Sequence, residues 1–287
     1  MSAIPNSAAV DAATRKPGMS RTQKLLFFLT AWLICLMPFL FWWNTWFGRK
    51  LSDQQLTEYL HDTKKPRHIQ QALVQVGERI THHEASAQKY YPDLVRLAAD
   101  PVEEVRNTDA WVMGQDTSGL GFHETLLKML ADPSQMVRGN AALSLVRFGD
   151  PTGRPQILAL LQPAQITAPQ AGRIIDSDRP GTAIHQGGLI AKLEYAQKQI
   201  AEIRSPIPGR IRSVAGTGAN LAAGAELAVI DPASDQVWEA LRALYLIGRP
   251  DDIPAIRPYQ RNLPDIPDHV RQQAIETEQA IKKRSGS

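Results

Sequence analysis

Residues 166–193, ITAPQAGRIIDSDRPGTAIHQGGLIAKL, return at 203–230 as IRSPIPGRIRSVAGTGANLAAGAELAVI, at a constant offset of 37 and without a gap. Pro169, Gly172, Arg173, Ile174, Gly181, Gly187 and Ala191 recur as Pro206, Gly209, Arg210, Ile211, Gly218, Gly224 and Ala228. Short apolar alternations between Gly and Pro turns predict strands, and neither half is long enough to bury a core alone. The two halves are therefore expected to pack on each other. Gly216-Thr217-Gly218 has no counterpart in the first copy, so a phosphate loop is not the shared element. A dinucleotide loop would also need a helix directly behind it and a third Gly where Leu221 stands.

Helical sequence flanks this pair on both sides. LVRLAADPVEEVRNTDAWVMG (94–114) matches LLKMLADPSQMVRGNAALSLV (126–146) at an offset of 32. Ala99-Asp100-Pro101 falls on Ala131-Asp132-Pro133, and Val105-Arg106 on Val137-Arg138. Each copy reads as a helix, an Asp-Pro turn and a second helix, with Asp before and Pro inside the second helix start. Further helices are expected over 51–61, 66–80, 150–161, 235–248 and 268–283. Arg106 and Arg138 are expected to bond to neighbouring carbonyls or acids within the repeats.

The helical pairs, with D-P-x-x-x-V-R at the turn, resemble HEAT-type repeats. The two β halves resemble the barrel-sandwich hybrid of biotinyl and lipoyl domains and of HlyD-like adaptors, whose half reads roughly A-P-x-x-G-x-V then G-x-x-V-x-x-G-x-x-L. Together these resemblances imply a mainly α chain: a HEAT-like α-solenoid carrying an inserted small all-β barrel-sandwich hybrid. In biotinyl and lipoyl carriers the modified lysine stands on the hairpin between halves, eight residues before the second Pro. Lys198 stands eight residues before Pro206. Its neighbours Gln197 and Gln199 depart from the Met or Asp of the carriers, so the resemblance implies an unmodified lysine and no cofactor.

The run Leu25 to Phe47 holds 23 residues without a charge. At 1.5 Å per residue it would rise about 34 Å, against a hydrocarbon core of about 30 Å, and it predicts one transmembrane helix. Trp42, Trp43 and Trp46 would mark the membrane interface at its end. Arg15, Lys16, Arg21 and Lys24 precede the run, while Arg49 and Lys50 follow it. That bias predicts a cytoplasmic N-terminus in the inner (plasma) membrane and a periplasmic or extracytoplasmic C-terminal domain. The expected organisation is a basic tail (1–24), a membrane helix (25–47), helical repeats (48–161), the β insert (162–230) and helical repeats with a last helix (231–287).

Charge and composition narrow the function. Lys and Arg number 32 against 29 Asp and Glu, and four of the bases but one acid fall in residues 1–47. The remainder is balanced, which argues against a nucleic-acid partner. One cysteine, Cys35, excludes multi-cysteine metal sites and internal disulfides. His82-His83-Glu84 lacks the i, i+4 spacing of a helical zinc site, and no serine sits in a nucleophile elbow. The sequence thus predicts a non-catalytic scaffold or subunit of a membrane complex, with protein partners and no metal. An HlyD-like export adaptor and a biotinyl or lipoyl carrier feeding a membrane enzyme are the alternatives.

Overall fold

The computed structural model describes residues 20–46, 50–196 and 198–286, with the side chains of residues 35 and 39–46 outside the described set. The chain divides into two units, Met1–Leu51 and Ser52–Ser287.

In the first unit, α1 runs from Arg21 to Trp46. A reciprocal cap starts it: Gln23 N–H donates to Ser20 Oγ at 3.2 Å, and Ser20 N–H donates to Gln23 Oε1 at 3.0 Å. Leu25, Phe28, Trp32 and Ile34 are exposed. The expected transmembrane helix is corrected here. Among the described residues no helix is long and apolar enough to cross a membrane. The inner-membrane, single-pass placement falls with the span. The side chains of Trp42, Trp43 and Trp46 lie outside the described residues.

The second unit is mixed α/β. Its helices are α2 (Asp53–Leu60), α3 (Pro66–Thr81), α4 (Tyr91–Leu97), α5 (Glu103–Met113), α6 (Phe122–Met129), α7 (Gln135–Arg147) and α8 (Arg154–Ala159) before the strands. After the strands come α9 (Ser234–Ile247), α10 (Ile253–Ile256) and α11 (Asp268–Ser285). Aspartates shape the turns. Asp100, Asp132 and Asp150 each accept, at 2.8 Å, the N–H two residues on, which folds the following Pro into a turn and releases the next helix. Arg106 donates to the Asp100 and Pro101 carbonyls at 2.8 and 3.3 Å, and Arg138 repeats this on Asp132 and Pro133 at 2.6 and 2.9 Å.

Eight strands lie between α8 and α9: β1 (Ala164–Thr167), β2 (Gly172–Ser177), β3 (Ala183–Ile184), β4 (Leu189–Tyr195), β5 (Ile200–Arg204), β6 (Gly209–Val214), β7 (Asn220–Leu221) and β8 (Glu226–Pro232). They form two antiparallel four-stranded sheets, β1-β8-β6-β3 and β5-β4-β2-β7. Each sheet takes two strands from each half. The cross-links obey the 37-residue offset. Gly181 N–H donates to Ile211 O as Gly218 N–H donates to Ile174 O, and Gly187 to Ser205 as Gly224 to Ala168. Ile174, Ile184, Leu193, Ile207, Ile211 and Ile230 share one buried core drawn from both halves.

Two further expectations are corrected. The architecture is not mainly α: it is mixed α/β, and a HEAT-like solenoid is not shown. Solenoid units contact only like neighbours. Here eight strands break the succession after α8, and the helices that follow include a four-residue α10 and an 18-residue α11. The barrel-sandwich hybrid of the biotinyl, lipoyl and HlyD-like resemblance is replaced by two small antiparallel sheets with no closed barrel. Closure would need β3 and β7 to pair on both sides, and each is two residues long.

A candidate interaction groove across four helices

The two helical parts share a core. Ile157, Leu160 and Leu161 pack with Val237, Leu241, Leu244, Ile256 and Ile281. Polar clamps reinforce it. Arg154 Nη1 meets the buried Asp252 Oδ1 at 2.5 Å, Tyr259 Oη donates to Leu161 O at 2.5 Å, and Gln236 Nε2 donates to Leu160 O at 2.9 Å. Burial pushes the Tyr259 phenol up to about 12, so it stays a donor at every ordinary pH.

This joint sets α9 beside α7 and opens a groove of about 590 Å³ lined by α5, α7, α9 and α11. Trp111 lies at one end, 44% exposed, with its ring over Gly77 of α3, where an added Cβ would come within 3.2 Å of the indole. Tyr245 and Leu246 face the groove from α9, with Leu246 61% exposed. Leu143 and Arg147 line it from α7.

The floor is held by bonds rather than by apolar contact alone. Asn140 Nδ2 donates to Asn107 Oδ1 at 2.9 Å, and Ser144 Oγ donates to Ala110 O at 2.8 Å, which fixes α7 on α5. Arg147 donates to Gln115 Oε1 at 2.7 Å. Arg284 of α11 donates to Gly248 O at 3.0 Å and to the Tyr245 carbonyl, satisfying the open C-terminal end of α9. Tyr245 and Leu246 are thereby pinned from behind. Arg242 lies 4.6 Å over the Trp238 ring and donates to Glu239 at 3.3 Å. Arg147 and Arg242 are balanced by Glu239 and Glu276, so the groove carries no strong field of either sign.

The groove's one serine is committed to a backbone carbonyl, and no His, Cys or Asp lines it. Exposed Trp and Tyr beside Arg on a preset floor are the residue types that dominate protein–protein hot spots.

The residues singled out from sequence lie elsewhere. Lys198 sits in the turn joining β4 to β5, exposed, with φ +56° and its N–H donating to Tyr195 O at 3.0 Å. Gln197 lies outside the described residues. Gly218 takes φ +92° and its N–H donates across to Ile174 O at 2.7 Å. His83, also at φ +56°, lines a polar cleft with Glu84, Tyr91, Asp116 and Ser118. There Ser118 N–H and Oγ donate to Asp116 at 2.8 and 2.7 Å, and Tyr91 donates to its other oxygen. Burial works to raise Asp116, yet the Ser118 and Tyr91 bonds hold it below the usual carboxylate range. Burial first, then Asp116, pushes the Tyr91 phenol up. Among the described residues no group of three or more His, Cys, Asp or Glu is placed to hold a metal.

Sequence reasoning missed Trp111, Tyr245 and Leu246. One signal was available. Trp111 falls on Leu143 at the 32-residue offset, off the buried face of α5 formed by Val105, Asp109, Ala110, Val112 and Met113.

No known family and no curated protein matches the chain. Among solved structures, one of a single-chain, multi-domain long-chain acyl-CoA carboxylase is similar over 34% of this chain and 10% of that chain, at 22% identity and a TM-score of 0.24. The chain thus spans about a tenth of the length of the solved protein it matches. A likeness of that size assigns neither fold nor function.

Proposed function

We propose that the protein is a non-catalytic interaction module, a scaffold or complex subunit, that seats a segment of a protein partner in the groove between Trp111 and Leu246. The observation that carries this reading is the combination of half-exposed Trp111 and Tyr245 with a floor whose bonds are already made. Binding there would order few side chains, which preserves affinity. The balanced charge favours an apolar anchor over a strongly charged ligand.

A photo-crosslinking residue placed at Leu246 in the natively expressed chain tests the reading. The expected result is one dominant crosslinked protein, lost when Trp111→Ala is added. A hot-spot loss of about 2 kcal/mol corresponds to roughly 30-fold weaker binding. Crosslinking that is unchanged by Trp111→Ala, or that is equal from a position on the far side of α11, would refute it.

A further inference from the structure

Asp109 is fully buried in α5, and neither carboxylate oxygen has a hydrogen-bond partner among the described residues. The 32-residue offset places it where the next copy has Ala141, which is also fully buried. The site is therefore an apolar one that holds a carboxyl. The elements packed against α5 offer little to an ion. The buried residues of α3 are Ile69, Ala72, Leu73, Val76, Gly77 and Ile80, all uncharged. Those of α6 and α7 are uncharged as well. Two charged groups act on Asp109: Arg96 of α4, which favours its ionisation, and Asp100 of the α4–α5 turn, which opposes it. Arg96 is engaged elsewhere, donating to Leu60 O and Asp93 Oδ1, each at 3.0 Å. Asp100 caps its own turn through Val102 N–H at 2.8 Å.

We propose that Asp109 makes the α4–α5 layer a proton-operated latch. With the proton on, the carboxyl sits in the apolar interior and the layer is closed. When the proton passes to solvent, the bare carboxylate has no partner inside, and the layer opens until water reaches it. The opening is directed toward α4. α5 is tied to α7 through Asn107–Asn140 and Ala110–Ser144, and to the turn before α7 through Arg106–Asp132. By contrast α4 is seven residues long and brings the apolar Leu94 and Leu97 to the same interior. Burial, the dominant influence on this group, pushes its pKa well above the ordinary carboxylate range. The closed state is thus fully favoured below the ordinary carboxylate pKa and is weakened progressively as pH rises toward the folded value. This latch stands independently of the groove reading.

Amide hydrogen exchange read by mass spectrometry on the full chain tests it. Exchange in residues 91–113 is compared between the wild type and Asp109→Asn at each pH, so that the chemical dependence of exchange on pH cancels. The expected result is excess opening in the wild type that grows up to tenfold per pH unit above the ordinary carboxylate pKa and levels off at the folded value, confined to that segment. Asp109→Ala should also be flat, and Ala141 shows that Ala suits the site if the amide disturbs folding. Arg96→Gln should leave the onset of the rise in place and extend it to higher pH, because Arg96 favours ionisation only in the closed layer. Infrared spectra should show a protonated-carboxyl band that Asp109→Asn removes. Wild-type exchange that tracks both variants at every pH, or loss of that band with no added opening, overturns the latch.

Discussion

Arg106 and Arg138 occupy equivalent places in the two helical copies, and their removal should have unequal consequences. Both donate Nη1 to the two carbonyls of the preceding Asp-Pro turn. Among the described residues Arg106 alone of the two has a second set of bonds. Its Nε and Nη2 fork onto Asp132 Oδ2 and Oδ1 at 2.7 and 3.0 Å, with the two side chains 12% and 8% exposed. The position equivalent to Asp132 for Arg138 is 164, where Ala164 begins β1 instead of a turn. Arg106→Ala therefore leaves a part-buried carboxylate short of its forked partner, which costs about 2–3 kcal/mol. Arg138→Ala deletes bonds to neutral carbonyls only, at about 1–2 kcal/mol.

Thermal unfolding followed by circular dichroism reads the difference. A domain of this size loses about 2–4 °C for each kcal/mol, so Arg106→Ala should fall by roughly 4–12 °C and Arg138→Ala by roughly 2–8 °C. The pH dependence gives a second reading. Burial works to raise the Asp132 carboxyl, but Arg106 and the Ser134 N–H hold it below the usual range. Its contribution is then present above the ordinary carboxylate pKa and lost as pH falls through the depressed folded value. Arg106→Ala should flatten that acid limb, and Arg138→Ala should flatten it far less. Equal losses from the two variants would refute the reasoning, because the carbonyl bonds common to both copies would then carry the stabilisation.

Four further outcomes follow from other parts of the structure. A Cβ at Gly209 would come within 1.8 Å of the Asp231 carbonyl oxygen, whereas Gly216 has nothing within 4 Å, so Gly209→Ala should lower the unfolding temperature and Gly216→Ala should leave it nearly unchanged. Replacing residues 164–230 by a short Gly/Ser linker should leave a cooperative helical domain, because the Arg154–Asp252 and Tyr259–Leu161 bonds do not pass through the strands; loss of the helical signal would count against this. Lys198 should show no added biotinyl or lipoyl mass in intact-mass spectra of the natively expressed protein, and an adduct that disappears in Lys198→Arg would contradict that. The Lys89 ammonium, then the Arg79 guanidinium, hold the Asp53 carboxyl at about 2, so urea midpoints of the wild type should lose the anchor of α2 only as pH falls toward that value, while Asp53→Asn lacks it at neutral pH and titrates less steeply.

Local chemistry is what the sequence expresses most openly. Asp-Pro pairs and turn glycines answer to their own backbone, and the offsets of 32 and 37 recur between elements: α4 and α6, α5 and α7, β2 and β6, β4 and β8. Properties that depend on distant partners are not legible in that way. Whether sheets close depends on the length of β3 and β7, which each stop after two residues. A count of uncharged residues from Leu25 to Phe47 predicts a span, yet among the described residues no helix is long and apolar enough to cross a membrane. Asp109 looks like any solvated helix aspartate until the packing of α3, α4 and α7 encloses it. Trp111 and Leu246 are 135 positions apart and become neighbours only through folding.

The strands decide where the groove can be, although none of them lines it. β1 pairs antiparallel with β8, and Ala164 stands opposite Ile230. The chain therefore leaves the sheet where it entered. α8 ends at Ala159, shortly before β1 starts at Ala164, and α9 begins directly behind β8, so Leu160 and Leu161 behind α8 share one core with Val237 and Leu241 of α9. Ala233 N–H donates to Pro208 O at 3.0 Å, which ties the start of α9 to the entry of β6. At the same place Gly209 lets the β6 backbone approach the Asp231 carbonyl. A shift of β6 against β8 would pass into α9 through these contacts and move Tyr245 and Leu246 relative to Trp111. The two-half β unit thus acts on the groove as a spacer of fixed register, and a strand substitution such as Gly209→Ala should weaken groove crosslinking at Leu246 even where the helices stay folded.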